Sequence, residues 1–475
     1  MNPTLATLVY YLGIAGLFYL NRDKTVHTSK ALWLPVIYIW LIGSRPASFW
    51  LGITQTSGAD VQAQLDGSPV DAALFGVLLI GGLFVLARRG NRTLRCLTAS
   101  GPVLAYFAFC LLSILWSDFP GVALKRWIKA IDDLVMILIV LTDARPLAAL
   151  GRLFSRTAFI LLPLSVLLIK YYPALGRQYD VWSGQAEFTG VTMDKNWLGG
   201  ITFVLSLGVL WRVLALLRSD KKTPFRRRML VAQGMVLAIG IYLLTMANSV
   251  TSRVSFAVAA LLMLAANLRL MRRYPGAIHA FVLSLIAVLG FVLLLGGRAS
   301  VTHALGRDPN LTGRTEIWAA VIPLCPNPLI GAGFESFWLS QSVHTKLWEI
   351  FPGLPLNEAH SGYVEVYLQL GWAGICLIAF LLIEGYRRSV AAFRRDPAWG
   401  DLLIAFVASS GITSGRVVEP SKSKREVVRP VRRFAAKGWS AARQIVKSAS
   451  RRPHGLSALG LIGRGRIEHG FRQII

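Results

Sequence analysis

GRASVTHALGRDPNLTGRTEIW (residues 297–318), CPNPLIGAGFESFW (325–338) and LPLNEAHSGYVEVYLQLGWAG (354–374) make up one long polar excursion. Up to about residue 408, the rest of the chain alternates long hydrophobic runs with short charged connectors. Chemistry on water-soluble groups is most easily housed in such a loop when its neighbours are apolar. The excursion carries Arg298, Arg307, Arg314, His303, His344 and His360, and it re-enters an apolar run a few residues after His360. Cations and a titratable imidazole are thereby expected close to a bilayer surface.

Outward from that stretch, the composition is that of an integral membrane protein. Hydrophobic residues are 54% of the 475 and the mean hydropathy is +0.53, far above a soluble domain whose apolar residues are diluted by a wet surface. The formal charge of +27 would point to nucleic acid in a soluble protein. Here many Lys and Arg sit in connectors between apolar runs, as positive-inside topology requires, so no nucleic-acid partner is expected. Cys96, Cys110, Cys325 and Cys376 have no metal-ligand spacing, and only Cys325 lies in the long loop, so no disulfide is expected there. The first apolar run lacks a basic leader region and a small-residue cleavage site, so it reads as a retained span.

Runs long enough to cross a core of about 30 Å occur near 4–20, 31–50, 70–87, 102–117, 127–142, 154–172, 197–217, 229–248, 253–271, 277–296 and 364–384. The expected fold is all-α and polytopic, with about 11–12 transmembrane helices and one long extracytoplasmic loop carrying short helices. By regions, 1–296 holds about ten spans, 297–363 the loop, 364–412 the final span or spans, and 413–475 a basic tail. Connectors 21–30, 88–101, 143–153, 218–228, 269–276 and 385–399 are rich in Lys and Arg, whereas 51–69, 117–124, 173–196 and 297–363 are not. That alternation predicts the first set on the cytoplasmic side and the second, with the long loop and the N-terminus, outside.

Charges within or beside the spans need separate reasons. KRWIKAIDDLVMILIV (125–140) opens the fifth run with Lys125, Arg126, Lys129, Asp132 and Asp133. Lys129 and Asp133 are four apart, so on a helix they can pair, and a structural or interfacial role competes with a catalytic one for the carboxylates. Arg253 sits where two spans meet on the outer side. Snorkelling explains it in bland terms, but topology does not demand positive charge outside, which points to ligand contact.

At this point the residues resemble a known family. Gly313-Arg314 with Glu316 and Trp318, the Pro-Leu-Ile-Gly-Ala-Gly turn at 328–333, Ala359-His360 with Tyr363, and Gly371 and Gly374 leading into a span look like the core of the bacterial O-antigen ligase and polysaccharide polymerase family. GVTMDKNWLG (190–199) is similar to a segment of exopolysaccharide-type members, Ser252-Arg253 to their serine-arginine pair, and Leu115-Trp116-Ser117-Asp118 followed by Arg126 also matches. Ser361 follows the loop histidine where many members carry Asn. The resemblance covers roughly residues 100 to 385.

The resemblance implies glycosyl transfer at the outer face of the bacterial inner membrane. The donor would be a glycan on undecaprenyl pyrophosphate and the acceptor a hydroxyl of another glycan or lipid-linked saccharide. Other polysaccharide assembly or export proteins are potential partners, and membrane lipids the surroundings. Arg forks meet phosphate oxygens bidentately and more strongly near a low-dielectric boundary. Arg253 and Arg314 are the expected clamp on the departing diphosphate, with Arg126 and Lys195 in second place. An imidazole with an unperturbed pKa near 6.5 suits removal of the acceptor proton, and His360 is the expected base. Direct attack opposite the leaving group would invert the anomeric carbon, with no nucleotide or metal cofactor required. Asn196, Glu316 and Glu335 are expected sugar or acceptor contacts.

Bland readings stand beside these. His303 and His344 read as surface or hydrogen-bonding residues. Gly331 and Gly333, with Pro326 and Pro328, read as turn formers, since no lysine or hydroxyl follows at P-loop spacing. A transporter or flippase of lipid-linked oligosaccharide is the competing function. It should show paired repeats and charge near mid-span, whereas here no clear repeat is found and the cations gather at one outer edge. An assembly protein without catalysis has no need of that cluster. After the short apolar run 401–412, the tail carries Phe434, Ala435, Trp439, Ala442, Ile445 and Val446 at helical spacing opposite basic residues. That pattern suits an interfacial helix, and a disordered tail or an altered reading frame suits the composition equally.

Overall fold

In the computed structural model, the structure describes residues 2–23, 27–53, 68–179, 185–218, 224–274, 276–284, 314–352 and 356–395. His303, the first part of the polar excursion and the basic tail lie outside the described residues. The expected all-α polytopic architecture is observed. Among the described residues the one small sheet is a hairpin of β1 (Arg177–Tyr179) and β2 (Ala186–Phe188).

Among the described residues six helices are long and apolar enough to cross a membrane. They are α1 (Pro3–Leu20), α3 (Pro69–Arg89), α7 (Pro146–Tyr171), α8 (Lys195–Arg218), α9 (Pro224–Met246) and α13 (Gly362–Arg395). Other apolar runs fold differently. The run near 102–117 pairs α5 (Gly101–Leu112) with α4 (Asn91–Ala99), bent 81° apart. The chain turns there because Ser100 ends α4 and Pro102 suits only a new first turn. The apolar helices α2 (Trp33–Ile42) and α10 (Val250–Ala266) are shorter. The fifth run begins early, as α6 (Pro120–Leu141), because Pro120 sets a helix start ahead of the charged turn. The polar excursion carries α11 (Arg314–Val321) and α12 (Gln341–Ile350).

Of these six helices the most buried is α7, whose Phe159, Leu161, Leu162 and Ile169 anchor a core shared with α1, α8 and α9. Without a hydrophobic drive between helices in lipid, close backbone approach does the packing. Gly208 of α8 lies against the Phe154 ring, and Gly240 of α9 against the Ser206 side chain. A second cluster joins α2, α3 and α6. A third joins α10 to the end of α13 through Val258, Leu262, Val390 and Phe393. Leu12, Val77, Ile80 and Ile383 stand exposed, as side chains facing acyl tails do.

The i,i+4 pairing of Lys129 with Asp133 is not what forms. Asp133 accepts the Tyr38 hydroxyl at 2.8 Å, while the Lys129 ammonium sits 5.0 Å from the centroid of the Phe75 ring. A neighbouring helix offered each a partner, and tertiary contact displaced the local pair.

Candidate functional site

The site is built around a break in α13. Gly371 takes φ 62° and ψ −160°, which frees backbone groups on both sides of it. The Leu368 and Gln369 carbonyls accept the Ala332 and Gly333 N–H groups at 3.0 and 2.8 Å, and the Trp372 and Ala373 N–H groups donate to the Pro328 and Leu329 carbonyls at 2.9 and 3.0 Å. The 328–333 turn is thus spliced into the helix and satisfies what the break exposes. Gly331 and Gly333 have φ of 70° and 94°, in keeping with their reading as turn formers.

The Leu-Trp-Ser-Asp segment docks on the same turn. Trp116 Nε1 donates to the Ile330 carbonyl at 3.2 Å, the Ser117 and Ser336 hydroxyls lie 2.6 Å apart, and Phe334 N donates to Ser113 Oγ at 3.0 Å. One helix turn and a bend further on, Arg126 of α6 reaches Glu335. Its Nη1 donates to the Glu335 carbonyl at 2.7 Å and lies 3.4 Å from Oε2. Glu335 adopts φ 54°, and its N–H is taken by Gln369 Oε1 at 3.1 Å. Two residues 209 apart in sequence form one ion pair on the helix break.

His360 lies just before α13, buried at 8% exposure and with φ 54°. Its Nδ1 is buried 2.8 Å from Glu358 Oε1, an ion pair when the ring is protonated. The residue before it is held on both sides: the Ala359 carbonyl accepts Trp318 Nε1–H at 2.8 Å, and the Ala359 N–H donates to Glu365 Oε1. Glu365 Oε2 accepts Trp338 Nε1–H at 2.7 Å. His344 Nε2 lies 2.7 Å from the Trp338 carbonyl, consistent with its bland reading. Cys325 Sγ faces the Asn327 and Tyr367 carbonyls, and burial pushes its thiol up.

The other expected site residues are partnered or placed apart. Arg253, in the first turn of α10, donates through Nη2 to Asn248 Oδ1 at 2.9 Å. No described hydrogen bond or ion pair links it to His360. Lys195 is buried at the start of α8, its ammonium 2.8 Å from Glu187 Oε1 on β2. The Asn196 backbone N–H is capped by Asp194 Oδ1 at 2.8 Å. Arg314 opens α11 and Glu316 is partly buried in its first turn; the Arg314 side chain lies outside the described residues.

Sequence reasoning passed over Glu365 and Trp338. An acidic residue in the first turn of a helix is the ordinary complement to the helix dipole, so nothing in the string marks Glu365 as the acceptor for two buried donors.

Residues 235–379 match the family model described as O-antigen ligase, a stretch that holds Arg253, Arg314, Glu335, His360 and Glu365. The chain is also similar to the exopolysaccharide production protein ExoQ of Rhizobium meliloti (strain 1021), with 26% identity over 307 residues covering 62% of this chain and 67% of that protein. Order of motifs, apolar helices and both matches agree: this is a multi-pass bacterial inner-membrane enzyme of polysaccharide assembly, similar over residues 235–379 to the O-antigen ligase family.

Proposed function

We propose that the enzyme transfers or polymerises glycan from undecaprenyl pyrophosphate onto a hydroxyl of a glycan or lipid-linked saccharide at the outer face of the inner membrane. The acceptor oxygen attacks the anomeric carbon while its proton passes to the His360 imidazole. The bond from that carbon to the diphosphate oxygen breaks, and its electron pair leaves on the diphosphate. Attack from the opposite face inverts the anomeric centre.

The observation that carries this reading is His360 itself: an imidazole buried beside the loop, in a left-handed conformation that a non-glycine residue adopts at a cost, with Nδ1 2.8 Å from the Glu358 carboxylate. Strain retained at a titratable side chain is characteristic of sites where geometry serves chemistry. For the diphosphate clamp, Arg253 and Arg314 are preferred. Arg126 and Lys195 already face Glu335 and Glu187, which leaves them less charge to offer a ligand. Glu316, Glu335 and Asn196 remain proposed sugar contacts.

The test is complementation of a strain lacking the enzyme with His360→Ala, Arg314→Ala and Arg253→Ala, reading the length distribution of surface and secreted polysaccharide. Loss of polymer with accumulated lipid-linked repeats identifies a polymerase. Intact polymer that fails to reach its terminal acceptor identifies a ligase. Unchanged glycan in all three variants removes the site assignment.

A further inference from the structure

Resting on the reading of His360 as the base, we propose that Glu365 is a positioning residue whose carboxylate, together with the Trp318 indole, holds His360 in the left-handed turn that presents its ring to the acceptor. Trp318 Nε1–H fixes the carbonyl of Ala359 at 2.8 Å, which belongs to the peptide plane attached directly to the His360 nitrogen. Glu365 fixes the plane before it through the Ala359 N–H. On the far side, the Glu365 N–H donates to the Ser361 carbonyl at 2.9 Å and starts α13. Ala359 is fully buried at 0% exposure, so water offers its N–H and carbonyl no alternative to these two bonds. His360 is therefore preceded by two peptide planes that are both held, and followed one plane later by a third tie at the Ser361 carbonyl. A φ of 54° in a residue with a Cβ survives only where its surroundings over-determine it.

A carboxylate is required here, and an amide of the same shape is not equivalent. Two N–H donors, from Ala359 and from the Trp338 indole, converge on the two oxygens of Glu365. Glutamine has one acceptor oxygen and one NH₂, so in Glu365→Gln an amide NH₂ must face one of the two donors. A residue present only to complement the helix dipole would tolerate that exchange with little effect on turnover.

The experiment uses full-length enzyme in nanodiscs with an undecaprenyl-diphosphate-linked oligosaccharide as donor, measuring kcat, donor KM and the melting temperature. His360→Ala is the reference and should abolish transfer. Glu365→Gln should lower kcat by about a hundredfold, the scale of loss when a reacting group is misplaced by about 1 Å, with donor KM and melting temperature nearly unchanged. Adding Trp338→Phe removes the competing donor and should restore at least about tenfold of that loss, since the glutamine oxygen is then free to turn to Ala359. Trp318→Phe should reproduce the kcat loss from the opposite side of Ala359, and it provides the same test if Glu365→Gln fails to fold. Full activity in His360→Ala overturns the base assignment itself. An inactive His360→Ala beside wild-type kcat in Glu365→Gln and Trp318→Phe overturns the positioning role alone. A Glu365→Gln loss that Trp338→Phe does not relieve, with a matching fall in melting temperature, also overturns it.

Discussion

Gly331 and Gly371 meet backbone against backbone. A Cβ on Gly331 would run into the chain at Gln369 and Leu370, and one on Gly371 into the chain at Leu329 and Ile330. Both also sit at positive φ, 70° and 62°. Gly331→Ala and Gly371→Ala should each destabilise the protein by about 1–3 kcal/mol from conformation alone, before the steric clash is added. Their effects should fall well short of additive, because either one unseats the same splice. Melting temperatures of the purified single and double variants check this. Wild-type melting in either single variant would mean the two backbones are not in contact.

Arg126 and Glu335 form the second tie to that splice, and the stronger half of it is the 2.7 Å bond to the Glu335 carbonyl rather than the 3.4 Å charge contact. The side chains are 28% and 44% exposed, so solvent screens the charge pair to well under about 1 kcal/mol. Glu335→Gln should then cost little stability. Arg126→Ala, which strands a main-chain acceptor, should cost about 1–2 kcal/mol. Equal losses in the two variants, read by denaturation in detergent, would contradict this ranking.

How much of this was legible beforehand follows from which forces act over short sequence distances. Span length is a local property, so the apolar runs that became α1, α3, α7, α8 and α9 could be read directly. The turn chemistry of 328–333 was equally local. The interruption of α13 was not, because Leu370, Trp372 and Ala373 continue an apolar run across Gly371, and only the partner turn makes a break affordable. Likewise Asp133 turned from Lys129 to Tyr38, 95 residues away. Arg126, Glu335 and His360 could be singled out by residue type, but a contact between residues more than two hundred positions apart leaves no mark in a single sequence. Nor does the string say that Glu365 accepts two buried donors.

Cys325 offers a test by pH of how the turn is buried. Its thiol is raised by loss of solvent, so the reactive thiolate is scarce near neutrality. Alkylation of folded protein by iodoacetamide should climb about tenfold per pH unit from 7 and keep climbing past about 8.5, where an ordinary thiol begins to level off. Mass spectrometry of the 325 peptide gives the rate at each pH. A plateau at the ordinary value would place the sulfur in water, away from the Tyr367 carbonyl.

Sidedness decides whether the proposed chemistry has a place to occur. From Trp372 to Arg395, α13 covers roughly 36 Å at about 1.5 Å per residue, enough to cross the hydrocarbon core. Arg387, Arg388, Arg394 and Arg395 crowd one end of α13, and Glu358, His360 and Trp338 gather at the other. Excess Arg is expected at the cytoplasmic end, so the histidine is expected to face outward. In a cysteine-free background, Asn357→Cys should react with a membrane-impermeant maleimide in intact spheroplasts. Arg387→Cys, at a side chain 76% exposed, should react only after the membrane is opened. The reverse pattern would put the imidazole on the cytosolic face, and a base there cannot serve a glycan presented on the other side.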